Sequence, residues 1–195
     1  MRFIISLLLL SSCLVSNGQD YRVAYSQYDL FHPGITIAKP FVWTNKTKEK
    51  DKKKGLKRIG KSNLFLPQFT YYNQIRTENN FSIGCELVRQ RHRMKPANWK
   101  FETGVGLHYV RSFNAGKTFE LQDGTFKRIR FAGQNYFAPS LSYSVGRDFF
   151  KKRPRPISTY IKPQVLLLMP YNAGVVPSIY LQLGVSLPLK ALNHE

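Results

Sequence analysis

Residues Lys100 to Phe113 read KFETGVGLHYVRSF. Alternate positions give Phe101, Thr103, Val105, Leu107 and Tyr109 on one parity and Glu102, Gly104, Gly106 and His108 on the other. Successive strand side chains point to opposite faces, so a strict period of two predicts a β-strand with one apolar face and one small or polar face. NFSIGCEL repeats the pattern, setting Phe81, Ile83, Cys85 and Leu87 against Ser82, Gly84 and Glu86. NYFAPSLSYSVGRDF sets Phe137, Leu141, Tyr143, Val145 and Phe149 against Ala138, Ser140, Ser142, Ser144, Gly146 and Asp148. SIYLQLGVSLPL sets Ile179, Leu181, Leu183, Val185 and Leu187 against Tyr180, Gln182, Gly184 and Ser186. No comparable segment after residue 20 carries a 3.6-residue apolar stripe, so the mature chain is expected to be all-β.

The second parity indicates which face is buried. A soluble sandwich or lipocalin turns its apolar parity inward, whereas a transmembrane barrel turns it to lipid and fills its lumen with small or polar groups. Solvated strand faces carry Lys, Glu, Arg and Thr. Here the second parity is Gly, Ser, Ala, Gln and Tyr with single charges such as Glu86, Glu102 and Lys162, which suits a crowded narrow barrel. The segments run for about ten to sixteen residues, at or beyond the roughly 9 to 11 that cross a bilayer when tilted. Trp43, Tyr71, Trp99, Phe113, Phe149 and Tyr171 fall near segment ends, where interfacial aromatic girdles lie. The expectation is an antiparallel transmembrane β-barrel, with a secreted lipocalin-like binder as the soluble alternative.

The remaining composition agrees with export. The chain has 195 residues, enough for one domain, and a formal net charge of +19 that calls for an anionic partner or surface. Met1-Arg2, the apolar run FIISLLLL and small residues at Ser16 and Gly18 form a signal peptide over residues 1–18, leaving a barrel domain over 19–195. LSSC at Leu10 to Cys13 also fits a lipoprotein cleavage box, although the apolar Leu14-Val15 that follows favours ordinary cleavage. Beyond residue 18 only Cys85 remains, which excludes an intramolecular disulfide and a cysteine-based zinc site.

A signal peptide, segments such as FETGVGLHYVRSF and YFAPSLSYSVGRDF, and a last strand SIYLQLGVSLPL together resemble the small outer-membrane β-barrel proteins of Gram-negative bacteria. The resemblance covers most of residues 19 to 190. It departs at the end, where many such proteins finish on an aromatic residue and this chain runs on to KALNHE. It implies an outer-membrane location, a closed barrel and periplasmic termini. Seven strands are expected near 34–43, 64–75, 81–90, 99–113, 134–149, 157–169 and 177–189. Single-chain barrels have even strand numbers, so an eighth is expected in YRVAYSQYDLF, Tyr21 to Phe31, turning at His32-Pro33-Gly34. Residues 117–130 are expected to form a hairpin-like extension of a long loop, turned at Asp123-Gly124.

That topology sorts the charge. Connections at 44–63, 91–98 and 150–156 share a rim with the C-terminus, and 17 of the 30 basic residues fall near it. The candidate anion-binding residues there are Lys46, Lys48, Lys50, Lys52, Lys53, Lys54, Lys57, Arg58, Lys61, Arg91, Arg93, Lys95, Lys151, Lys152, Arg153 and Arg155. The expected partners are outer-membrane lipid or lipopolysaccharide, with cell-wall polymer or an envelope protein as further alternatives. Solvated turns that keep the chain soluble are the simpler account of the same charges. Nucleic acid is not expected, because no base-stacking aromatics are interleaved with the lysines.

Glu86, Glu102, His108, Lys162 and Gln182 are the candidate lumenal polar cluster, a plug of mutual ion pairs and hydrogen bonds. Some proteins of the resembled family modify lipid A with a Ser-His-acid arrangement, so a lipid A hydrolase is the enzymatic alternative. His108 and Ser112 share a parity but lie roughly 13 Å apart along a strand, too far for a nucleophile-base pair. A cross-strand Ser142 or Ser144 stays open as a partner. No catalytic residue, cofactor or metal is assigned, since His32, His92, His108 and His194 have no ligand spacing. The run GLKRIGKS, Gly55 to Ser62, matches a phosphate-binding loop, yet its flanks KEKDKKK and NLFLPQFTYY supply neither the buried strand nor the helix that such a loop needs. The expected role is structural or interactive at the bacterial envelope.

Overall fold

Tyr21 pairs with Leu187, so the first and last strands meet and the sheet closes on itself. The computed structural model describes residues 21–28, 32–52, 55–74, 78–93, 98–122, 124–129, 132–149, 157–169 and 174–187. The expected signal peptide, Lys53, Lys54, Lys95, Lys151, Lys152, Arg153, Arg155 and Tyr171 lie outside these residues. The strands are β1 Tyr21–Tyr28, β2 His32–Ala38, β3 Phe41–Lys52, β4 Gly55–Gln74, β5 Glu78–Arg93, β6 Trp99–Asn114, β7 Thr118–Gln122, β8 Thr125–Ile129, β9 Asn135–Phe149, β10 Ile157–Leu168 and β11 Val176–Leu187. Antiparallel ladders run from β1 through β2, β4, β5, β6, β9 and β10 to β11 and back to β1. β2 and β3 form a single stave interrupted at Lys39 and Pro40, giving a closed barrel of eight antiparallel staves. Pro40 has no N–H to donate, and the Lys39 amide bridges the break by donating to the Pro67 carbonyl at 3.1 Å.

Three sequence expectations need correction. The turn expected at His32-Pro33-Gly34 is part of β2, with His32, Pro33 and Gly34 opposite Tyr28, Gln27 and Ser26. Gly34 is required there because a Cβ would stand 2.5 Å from the Tyr71 carbonyl oxygen. The single strand expected over 34–43 is two strands. Finally, the connection expected over 44–63 is itself β-structure, with β3 and β4 paired from Thr44↔Asn63 to Lys52↔Gly55. A two-stranded ribbon in solvent needs no apolar face, so its Lys-rich sequence hid it.

This ribbon overhangs the barrel. The ladder between β1 and β2 stops at Arg22↔Ala38 and that between β4 and β5 at Ile59↔Arg93, while β3 and β4 continue to each other alone. GLKRIGKS therefore lies within a strand, its backbone committed to a ladder instead of converging on a phosphate. At the other end, β7 and β8 form the separate hairpin expected within 117–130, with Gly124 at φ 74° in its turn.

The barrel is polar inside and apolar outside. Ser26, Thr36, Gln68, Glu86, Glu102, His108, Lys162, Gln164 and Gln182 are buried, while Val105, Leu107, Leu141, Ile161 and Ile179 are more than half exposed. The β10 pattern shows the alternation, with Ser158, Tyr160, Lys162, Gln164 and Leu166 inward and Thr159, Ile161, Pro163 and Val165 outward. Closure by a continuous ladder leaves no edge around the wall, the condition for a sheet to cross hydrocarbon.

Candidate functional site

The lumen is filled in layers. Nearest the termini, Asp148 accepts from Ser158 at 2.6 Å, lies 2.7 Å from Lys100 Nζ and has His92 Nε2 at 3.2 Å. Next, Arg22 of β1 donates two bonds of 2.7 Å to the Glu102 carboxylate of β6, and Gln90 adds a third at 2.6 Å. Such a planar two-point pair fixes geometry as well as charge.

Glu86 anchors the middle layer. It accepts from Lys162 Nζ at 2.9 Å, Gln164 at 2.8 Å, Gln68 at 3.0 Å and Ser142 Oγ at 2.8 Å. Glycines make the room: a Cβ on Gly106 would stand 2.5 Å from Glu86 Cγ, and one on Gly84 would stand 2.2 Å from His108 Nδ1. Gln182 joins this layer through Gln164 at 3.0 Å. Above it, Ser26, Thr36 and Thr70 form a hydroxyl chain. The rings of Tyr28, Tyr72 and Tyr180 meet at the far end, with centroids 4.8 to 5.5 Å apart.

Of the expected lumenal cluster, Glu86, His108, Lys162 and Gln182 therefore share one layer and Glu102 belongs to the layer nearer the termini. Arg22, Gln68, Gln90 and Gln164 were missed. Gln164 was legible, two residues from Lys162 and so on its parity. Arg22 was not, because the strand that carries it is too short to set its own register.

Catalytic geometry does not assemble around His108. The neighbouring hydroxyl is Ser140, 3.0 Å from Nε2, in place of the Ser142 or Ser144 left open from the sequence. Ser142 donates to Glu86, and Ser112 donates to Glu78. The Glu86 carboxylate approaches the same ring nitrogen that faces Ser140, at 3.8 Å, while Nδ1 faces Ser82 at 3.5 Å. A nucleophile triad needs its acid on the nitrogen opposite the serine. The lumenal cavity lined by Arg22, Lys100, Glu102, Ser144 and Tyr160 holds only about 20 Å³, room for one water.

The outer wall carries a second arrangement. Reading across β3, β4, β5, β6 and β9, one outward row is Lys46, Lys61, Arg91, Phe101 and Val145. The row beyond it toward the ribbon is Lys48, Ile59, Arg93, Trp99 and Arg147. In the ribbon ladder the positions of Lys46, Lys48, Lys50, Lys52, Lys57 and Lys61 share one parity, and those of Glu49, Asp51 and Arg58 share the other. The Arg147 guanidinium stands over Trp99 at 5.8 Å and Phe149 at 5.7 Å. Arg89, Arg91, Phe101, Thr103 and Tyr143 line an open groove of about 450 Å³ on this wall.

The closed eight-stave wall superposes on solved structures. The outer membrane enzyme PagL superposes with a TM-score of 0.53 at 11% identity, over 87% of this chain and 99% of that one. The chain has the fold of a small outer-membrane β-barrel. Neisserial surface protein A superposes with a TM-score of 0.43 at 11% identity, over 88% of this chain and 95% of that one. No protein-family model matches the sequence, and no curated protein matches it.

Proposed function

We propose that the chain is an outer-membrane protein with a structural or interaction role at the bacterial envelope. Its termini lie in the periplasm, and its basic edge sits against the anionic headgroups of the facing leaflet. The observation that carries this reading is the reversed burial: Glu86, Lys162 and Gln164 are at or below 3% exposure while Leu141 and Ile83 are above 55%. Water would penalise that arrangement on both faces, and a bilayer removes the outer penalty. Lys46, Lys61 and Arg91 share one outward row at this edge, and each exposed charge near an anionic surface contributes about 1 kcal/mol.

Fractionation tests the location. The protein is expected in the outer membrane and to leave it only with detergent; recovery in a soluble periplasmic fraction would sink the reading. Orientation is tested with Lys50→Cys in a Cys85→Ser background, probed with a membrane-impermeant maleimide. Labelling only after the outer membrane is permeabilised is expected. Labelling of intact cells would reverse the barrel and turn its basic edge toward lipopolysaccharide phosphates.

A further inference from the structure

Charged residues at register positions of the lipid-facing parity of β5, β6 and β9 are all arginine: Arg89, Arg91 and Arg93 on β5, Arg147 on β9 and Arg111 on β6. Arg111 marks the far end of the wall, where it donates to Asn135 at 2.7 Å. The other four lie toward the termini. From Phe101 to Arg111 the strand advances ten residues, about 33 Å, or roughly 25 Å along the membrane normal at the usual tilt, which is the height of a barrel's apolar band. Arg91, opposite Phe101, therefore stands at the edge of the hydrocarbon, and Arg89, opposite Thr103, stands one pair inside it.

A lipid-facing arginine at that depth needs a counter-charge. The ion pairs among the described residues involve Arg22, His92, Lys100, His108 and Lys162, and none takes up Arg89 or Arg91. Both are exposed, and they line the same groove as Phe101, Thr103 and Tyr143. The register sets Arg89, Thr103 and Tyr143 side by side across three strands, so one guanidinium and two hydroxyls share a row. Beyond them the wall is apolar, with Val105 and Leu141 in the next row inward. A phosphate fits between the guanidiniums and an acyl chain fits the rows beyond.

We infer that this groove binds one anionic glycerophospholipid of the leaflet on the terminal side, its phosphate held between Arg89 and Arg91 and an acyl chain lying over Thr103 and Val105. The site rests on the membrane reading above and adds to it a position and a headgroup preference. Guanidinium suits phosphate through paired N–H donors, and the hydroxyls of Thr103 and Tyr143 supply further donors. Lys46 and Lys61 stand in the same row as Arg91 and add positive charge beside the groove, which favours a net anionic headgroup over a zwitterionic one.

Trp99 supplies the probe. It lies on the same outward parity, with its ring stacked on Phe101 at 6.5 Å, and Trp43→Phe leaves it the sole tryptophan. The protein is reconstituted in phosphatidylcholine bilayers containing rising fractions of dibrominated phosphatidylglycerol or dibrominated phosphatidylcholine, and Trp99 quenching is recorded. The brominated phosphatidylglycerol is expected to bind with at least about five-fold preference, the factor that one basic group contributes near an anionic headgroup. Arg89→Gln/Arg91→Gln is expected to abolish the preference, Arg89→Lys/Arg91→Lys to retain part of it, and Arg111→Gln to leave it unchanged. Heat-modifiable gel mobility verifies that each variant is folded. Superimposed curves for the two lipids, or a preference that survives the glutamine pair, would overturn the site while leaving the barrel in its membrane. Competition by inorganic phosphate would show a free-anion site and overturn the lipid assignment. Absence of quenching by either lipid would overturn the membrane reading and the site with it.

Discussion

Glu86 on β5 and Lys162 on β10 stand three strands apart around the barrel and meet across the lumen at 2.9 Å. Because Gln68, Gln164 and Ser142 converge on the same carboxylate, strands on opposite sides of the wall are tied at one point. Removing one partner of a buried pair strands the other charge, at a cost of about 3 to 5 kcal/mol. Glu86→Ala is therefore expected to destabilise by that amount, and Glu86→Ala/Lys162→Met to recover more than half of it. Urea midpoints for refolding into lipid vesicles measure both. A double variant no more stable than Glu86→Ala would show that the stranded lysine is not the source of the loss.

Gly84 faces His108 so closely that any side chain must displace the ring. A Cβ would lie 2.2 Å from Nδ1 and 2.7 Å from the Leu107 carbonyl oxygen. Gly84→Val is expected to cost about 1 to 3 kcal/mol, the range for overpacking a filled interior. His108→Ala in the same chain is expected to relieve the ring clash and leave the one with the carbonyl, so rescue is partial. Refolding midpoints again decide, and complete rescue would show that the backbone contact is harmless.

The filled layers imply a barrel that does not conduct. The cavity among Arg22, Lys100 and Glu102 holds about 20 Å³, and the Tyr28, Tyr72 and Tyr180 rings close the far end. Purified protein in planar bilayers is expected to give no stepwise current. Discrete conductance steps that scale with protein concentration would show that the plug opens.

Much of this architecture was legible because period-two alternation is a local property. Phe101 to Tyr109 and Ile179 to Leu187 each declare their two faces without reference to the rest of the chain, and an even stave count then demanded a strand near Tyr21. The hairpin through Gly124 was legible for the same reason, since turn chemistry is also local. The ribbon from Thr44 to Asn63 was not, because its alternation is of lysine with other polar residues and carries no apolar signal. Only the register reveals that its lysines share one parity while Glu49 and Arg58 pair on the other. The lumenal partners were half legible. Parity placed Glu86, Glu102, His108 and Lys162 inside, but which of them meet depends on the stagger between strands. That stagger put Ser140 beside His108, gave Ser142, one of the two serines left open as its partner, to Glu86 and brought Arg22 to Glu102.

Cys85 offers a direct test of which parity faces lipid. It is free, exposed and flanked on the same face by Ile83 and Leu87, both more than half exposed. Its partner across the ladder is Leu107, between Phe101 and Arg111 on β6, so it lies well inside the apolar band. In a protein beginning at Gln19 it is the sole thiol, and a nitroxide can be attached without substitution. Relaxation of that label by oxygen, which concentrates in hydrocarbon, is expected to exceed relaxation by a water-soluble nickel chelate. A label at Ser82→Cys in a Cys85→Ser background points into the packed lumen and is expected to be immobilised and reached poorly by both. Strong relaxation of the Cys85 label by the nickel chelate would place the apolar parity in water. That result would remove the counter-charge problem of Arg89 along with the bilayer itself.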